Sequence, residues 1–295
     1  MCRICTRDAR SEYAPWGRSS RQPCPARVYN CLTGGVESYE ADRALAEKLI
    51  GADGLLIMAT AINQVHAPLV VRALARRGFS QFLDLGCGYP PLLARGRRRH
   101  DPPLISEVLA PFQTGAAVLH VDVDPVVAGQ AESVMAGPSG NPGVLCADLL
   151  HMAELLDHRD VAGRFDLSRP IAVLLHDVLP WAGDDQGVAD ALAVLRDWLP
   201  PGSALSITHA TSDLDDPTVM ARLTALWAEE AAVAFRPRRG TAITALLGDW
   251  PLMSPGLVPT ARWHPGHPKH AQPALASRAY AAVAIKPGAS PSSAA

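Results

Sequence analysis

Three short apolar runs in this chain carry an aspartate near their carboxyl ends, at Asp84, Asp122 and Asp148, and stretches of helical periodicity separate them. Apolar strands alternating with helices leave few options. The strands must lie side by side in a parallel sheet, buried on both faces by the crossover helices. The first run is the most telling, because Gln81-Phe-Leu-Asp-Leu leads straight into Gly86-Cys-Gly88-Tyr-Pro90. Gly86 and Gly88 let the backbone turn tightly and approach a ligand where a side chain would clash.

The remaining strands are expected at 117–122, 143–148, 171–177 and 204–209, with helices at 125–135, 185–198 and 217–234. Before the first strand, Leu45, Leu49 and Ile50 recur at helical spacing. Ile62, Val65, Leu69, Val70 and Leu74 mark a second amphipathic helix over 58–77, stopped by Gly78. Gly34 and Gly35 form a hinge in this N-terminal region. After a short helix from Thr241, the segments 250–253 and 280–285 are two short strand candidates. Residues 1–22, rich in Arg, Ser and Pro, are expected to be a flexible extension, 23–77 a helical cap on a domain reaching 287, and 288–295 a flexible tail.

With 48% hydrophobic and 19% charged residues, a chain of 295 residues can bury a full core. Its net charge of −2 supplies none of the basic excess that nucleic acid or an anionic membrane usually demands, so neither partner is expected. No apolar run approaches the length of a membrane span, and a cytoplasmic location follows as the expectation. The six cysteines lack the spacing of a disulfide scaffold. Cys2 and Cys5 form a C-x-x-C, but Cys24 and Cys31 lie too far apart to complete a zinc site with them. His264, His267 and His270 sit on proline-broken backbone that places them on no common face, and no metal is expected. The basic run at 95–99 is a solvated loop or an anion-binding patch.

Acids at the carboxyl rim of a parallel sheet suit a nucleotide ligand bound where the strand order reverses. An acid closing the second strand can accept both ribose hydroxyls, and one after the third can accept the exocyclic amine of adenine. An adenosyl group fits both. A dinucleotide would call for G-x-G-x-x-G, and no third glycine appears in register. The acid before the first glycine instead matches the D-x-G-x-G form used for S-adenosyl-L-methionine, which favours that cofactor over NAD.

Arg27-Val-Tyr-Asn, Leu32 with Gly34-Gly35, the 81–90 turn, Val121-Asp-Val-Asp-Pro-Val-Val127 and Ser206-Ile-Thr-His-Ala-Thr-Ser-Asp213 together resemble a family of bacterial S-adenosyl-L-methionine-dependent methyltransferases, first catalogued as a domain of unknown function. The resemblance spans about residues 23–287. It implies the class I methyltransferase fold, a Rossmann-like α/β architecture with a seven-stranded, mostly parallel sheet, helices on both faces and an N-terminal helical cap. By the same resemblance Asp84, Gly86 and Gly88 belong to the cofactor site, with the glycines near the methionyl part. Asp122 holds the ribose, Asp148 the adenine amine with Leu149 beside it, and Tyr29, Asn30 and Gly35 close the cap, with His176 nearby. The sequence departs from the family at Asn30, usually Asp, and at Val36, usually Lys.

A sulfonium methyl is already activated, so the protein must align an acceptor, exclude water and, for a protonated acceptor, supply a base. His176, Asp177 and His209 stand at the same rim as candidate bases, and for each histidine a packed, hydrogen-bonded role is the alternative. Trp181 either covers the substrate or seals a helix edge, Trp198 and Trp227 belong to the core, and Asp124 either assists Asp122 or, the favoured reading, caps the helix opened by Pro125. The expected activity is methyl transfer to a small molecule. A binding protein that has lost turnover and an NAD-dependent oxidoreductase are the other readings.

Overall fold

A computed structural model describes residues 20–90, 102–113, 115–135, 143–214, 216–263 and 273–288. The 95–99 run, the three histidines at 264, 267 and 270, and Cys2 and Cys5 fall outside these segments. Seven strands form one sheet: β1 (Gln81–Leu85), β2 (Ala117–Asp122), β3 (Val144–Cys146), β4 (Ala172–His176), β5 (Ala204–Ala210), β6 (Val258–Pro259) and β7 (Ala279–Ile285), in the order β3-β2-β1-β4-β5-β7-β6. The first five are parallel, and β7 runs antiparallel to both β5 and β6. The order reverses between β1 and β4, at the mouth of the Gly86–Gly88 turn.

Helices α1 (Pro25–Leu32), α2 (Glu40–Ala52) and α3 (Leu56–Ala75) precede β1; α4 (Ile105–Leu109) precedes β2; and α5 (Pro125–Met135) joins β2 to β3. Then come α6 (Met152–Leu156), α7 (Arg159–Ala162), α8 (Asp185–Trp198), α9 (Pro217–Ala231) and α10 (Gly240–Leu246). Proline in the first turn and an acid accepting the next free N–H define several starts. Asp124 Oδ1 accepts from Val126 N at α5, Asp184 from Gly187 N at α8 and Asp216 from Thr218 N at α9. Ala232, at φ +52°, ends α9 three residues before the expected limit.

Alternation along the strands splits the core. Leu83, Leu119, Val173, Leu175 and Leu205 pack with Val188, Leu192 and Leu195 of α8, while Phe82, Leu174 and Ala204 meet Val70, Val71 and Leu74 of α3. A third cluster joins Val28, Leu45 and Leu49 of α1 and α2 to Met220, Leu223 and Trp227 of α9, so the N-terminal helices are held by a helix from the other end of the domain. Trp181 completes this cluster, stacked on Phe235 at 4.4 Å and edge-on to Trp227 at 4.6 Å.

Two expectations need correction. The segment 250–253 is not a strand: only Leu252 bridges Ala284, because Pro251 has no N–H to donate, and the edge strand is Val258–Pro259. On α3, Val65 faces solvent whereas Thr60, Asn63 and His66 are buried. The carboxyl-terminal half of α3 covers the apolar part of the sheet, but its first half lies over polar strand ends. The short helices α6 and α7 carried no signal strong enough to place them. No single helix among the described residues is long and apolar enough to cross a membrane; α2 and α3 reach that length only across a 108° bend.

Two buried ion pairs anchor the N-terminal helices. Arg27 Nε donates to Asp42 Oδ2 at 2.7 Å, and the same carboxylate accepts from the backbone N–H groups of Cys24 and Tyr39. Arg278 holds Asp53, at the end of α2, through two nitrogens at 2.8 and 2.9 Å. Removing one partner leaves a charge enclosed without compensation, which costs about 3–5 kcal/mol. Asp42→Ala is therefore expected to lower stability to unfolding by about that amount, seen as an earlier denaturant midpoint, with α1 amides losing hydrogen-exchange protection first.

Candidate functional site

Past Leu85 the chain turns at Gly86 (φ +75°) and Gly88 (φ +63°), backbone conformations that side-chain-bearing residues adopt only with strain. Gly86 N and Cys87 N both donate to Val121 O, at 2.8 and 3.0 Å, folding the turn back over β2. The two glycines face different surroundings. A Cβ on Gly86 would overlap Val178 Cγ2, whereas a Cβ on Gly88 would meet nothing within 4 Å. The turn is thus closed against the protein at one glycine and open at the other.

Asp122, at the end of β2, holds this turn. Its Oδ2 accepts from Gly88 N and its Oδ1 from Asp124 N, both at 3.0 Å, and burial pushes its carboxyl up to about 6 against the opposing pull of those donors. Each oxygen keeps a further lone pair. Asp84 points elsewhere, pairing with His120 Nδ1 at 2.8 Å across the β1–β2 register. Asp148 Oδ1 accepts from Leu150 N, capping the short turn that buries Leu149, and its Oδ2 has no partner among the described residues.

From the cap, the Tyr29 hydroxyl reaches Asp177 Oδ2 at 3.3 Å and Thr60 O at 3.4 Å. Burial, reinforced by the carboxylate, raises the phenol well above its ordinary range. Asp177 itself sits at φ +56° just past β4, its N–H donating to Thr208 Oγ1 and its Oδ1 accepting from that hydroxyl at 3.0 Å. Burial lifts its carboxyl to about 6. Asn30 and Gly35 shape the cap loop: Gly35 N donates to Asn30 O, Asn30 Oδ1 accepts from Glu37 N, and a Cβ on Gly35 would overlap the Asn30 amide.

The two histidines differ. His176 Nε2 is 2.8 Å from Ser206 Oγ, its Nδ1 has no hydrogen-bond partner among the described residues, and burial lowers its pKa to about 4. His209 lies on the opposite face of the sheet, fully buried. Its Nδ1 faces Ala210 O at 2.7 Å, and its Nε2 faces Arg238 Nη1 at 2.7 Å. Guanidinium only donates, so Nε2 is the acceptor and the proton sits on Nδ1. With its lone pair engaged, burial foremost and Arg238 beside it, His209 is held neutral at about 4, and the geometry speaks against its acting as a base.

The structure therefore gathers Gly86, Gly88 and Asp122 at one wall and Tyr29, Asp177 and His176 at another, while His209 stands apart. Sequence reasoning missed Thr208, His66 and Arg238. The last links His209 to Asp185 and to Leu179 O, and its only signal was a basic run otherwise resembling a loop. For Asp177, a raised carboxyl holds its proton in the folded protein between roughly pH 4 and 6, where the unfolded chain has released it, so it favours folding on acidification. His176 and His209, lowered, act in the opposite sense. Asp177→Asn removes one offsetting group, and its stability is expected to fall more steeply than that of the wild type from pH 6.5 to about 4, measured by denaturant titration at successive pH values.

A sequence profile of the S-adenosyl methyltransferase family matches residues 17–287. The fold is shared by a candidate methyltransferase from Thermobifida fusca YX, 30% identical, covering 94% of this chain and 100% of that one with a TM-score of 0.79. It is also shared by a DUF574 family protein from Streptomyces avermitilis MA-4680, 24% identical, covering 91% and 99% of the two chains with a TM-score of 0.79. No curated protein matches the chain. A match over nearly the whole length decides between the two nucleotide cofactors left open by the glycine turn: the chain belongs to the S-adenosyl methyltransferase family, and its cofactor is S-adenosyl-L-methionine.

Proposed function

We propose that this enzyme methylates a small molecule enclosed between the carboxyl rim of the sheet and the N-terminal helices. The observation that supports this reading is the Tyr29–Asp177 hydrogen bond, which joins the cap to the end of β4. The residues at the rim fit the cofactor. Gly88 offers an open face for the methionyl portion, Asp122 keeps lone pairs for two ribose hydroxyls, and Asp148 keeps Oδ2 for the adenine amine beside Leu149. Tyr29, Asn30 and Gly35 form the roof. Asp84, paired with His120, makes no hydrogen bond to the turn among the described residues.

When bound, the cofactor supplies a methyl group on a positively charged sulfur, which needs no nucleophile from the enzyme. The protein's part is alignment, exclusion of water and proton removal. Asp177 is the proposed proton acceptor: with a pKa of about 6 it is ionised at neutral pH yet basic enough to take a proton. Thr208 and Tyr29 orient its two oxygens, and His176, neutral, lines the same side. Calorimetry is expected to give saturable heat with S-adenosylhomocysteine and none with NAD, and the reverse result would sink the reading. Losing one hydrogen bond from a charged group costs about 1.5–3 kcal/mol. Asp122→Asn should therefore weaken that binding by roughly tenfold to a hundredfold, while a folded His209→Asn protein should bind as the wild type does.

A further inference from the structure

The buried side of α3 changes chemistry along its length. Val70, Val71 and Leu74 cover Phe82 and Leu174, but one to three turns earlier the same side carries Thr60, Asn63 and His66. These three positions, spaced three apart, share a face. The face lies over the polar ends of the central strands. The His66 ring meets the His176 ring edge-on at 5.1 Å and the Trp263 ring at 5.0 Å, and Thr60 O receives the Tyr29 hydroxyl that also reaches Asp177.

Three polar atoms in this layer have no hydrogen-bond partner among the described residues: Asn63 Oδ1, Trp263 Nε1 and His176 Nδ1. Trp263 is fully buried and Asn63 is 9% exposed. Enclosed polar atoms without partners are rare in folded proteins, because each forfeits its hydrogen bonds to water. An amide oxygen, an indole N–H and an imidazole nitrogen able to take either role, next to the proposed proton acceptor, offer a ligand polar atoms to complete.

Charge narrows what that ligand is. Asp177 borders the layer and Asp84, paired with His120, lies near enough to act on His176; no lysine or arginine among the described residues pairs with either carboxylate. A basic amine arrives as a cation that these carboxylates attract, whereas a carboxylic acid arrives as an anion that they repel and a phenol arrives neutral.

Building on the small-molecule reading above, we propose that Asn63, His66, His176 and Trp263 form the acceptor chamber and that its occupant is a ring-bearing amine or azole methylated on nitrogen. The acceptor nitrogen's lone pair forms the new N–C bond as the S–C bond breaks, with the bonding pair remaining on sulfur, and the nitrogen's surplus proton passes to Asp177. Trp263 Nε1 and Asn63 Oδ1 hold the ring at its far side.

The test uses the full chain and methyl-labelled S-adenosyl-L-methionine with two probe sets: primary amines, secondary amines and azoles such as tryptamine and histamine, against phenols and carboxylic acids such as catechol and phenylacetate. Label is expected only in the nitrogen set. For the best nitrogen probe, Asn63→Leu and Trp263→Phe should each raise KM about tenfold, as for one lost hydrogen bond to the ligand, with S-adenosylhomocysteine affinity unchanged; Asn63→Leu keeps the side-chain shape should Trp263→Phe fold poorly, and because it also frees Ser277 O from Asn63 Nδ2, its unchanged S-adenosylhomocysteine affinity is the control for folding. Label confined to oxygen probes, or absent from every nitrogen probe in protein that binds S-adenosylhomocysteine, overturns the nitrogen assignment. Unchanged KM in both variants overturns the chamber. If the wild type does not bind S-adenosylhomocysteine, the parent reading fails first.

Discussion

The Asp122 carboxylate ties the parts of this protein together. One oxygen holds the glycine turn through Gly88 N and the other holds Asp124 N. Asp124 in turn caps α5 and receives the Cys24 thiol, and Cys24 N donates to Asp42, the partner of Arg27. A continuous line of hydrogen bonds thus runs from the cofactor turn to the cap. It places a negative charge where burial opposes it, and the N–H donors offset part of that cost. Burial likewise explains why the Cys24 thiol is pushed up to about 12 and serves as a hydrogen-bonding group in the protein core.

This arrangement gives the opening motif a physical meaning. Arg27 is a strut, fully buried against Asp42; Val28 fills the cluster with α9; Tyr29 is the residue of the three that reaches the rim. A helix shows successive residues to different sides, so adjacent letters of one motif serve anchoring, packing and contact in turn. The substitution of Asn at position 30 fits the same logic, since its side chain is engaged within the cap loop by Glu37 N.

The strands and several helices were legible because local patterns agree with burial. Pro125 to Met135 and Asp185 to Trp198 coincide with their observed helices, where proline, acidic caps and apolar spacing all point the same way. Legibility failed where long-range packing decides. Hydropathy assigned Val65 to the core side of α3, yet Asn63 and His66 occupy it, because what lies beneath is the polar half of a sheet formed by residues more than a hundred positions later. The same holds for His209: its strand and its rim position were visible, but the strand's pleat turns it to the face where Arg238 waits.

The sequence by itself determined the class of fold, the glycine turn and the acids around it, since apolar periodicity, glycine and strand-end aspartates express local backbone rules. Only the tertiary structure decided which of those acids face the turn, which tie strands together, and that His176 Nδ1 has no hydrogen-bond partner among the described residues. A strand's alternation depends on its own residues, but a side chain's neighbours, and with them its charge and hydrogen bonds, come from distant segments brought within a few ångströms by the sheet register.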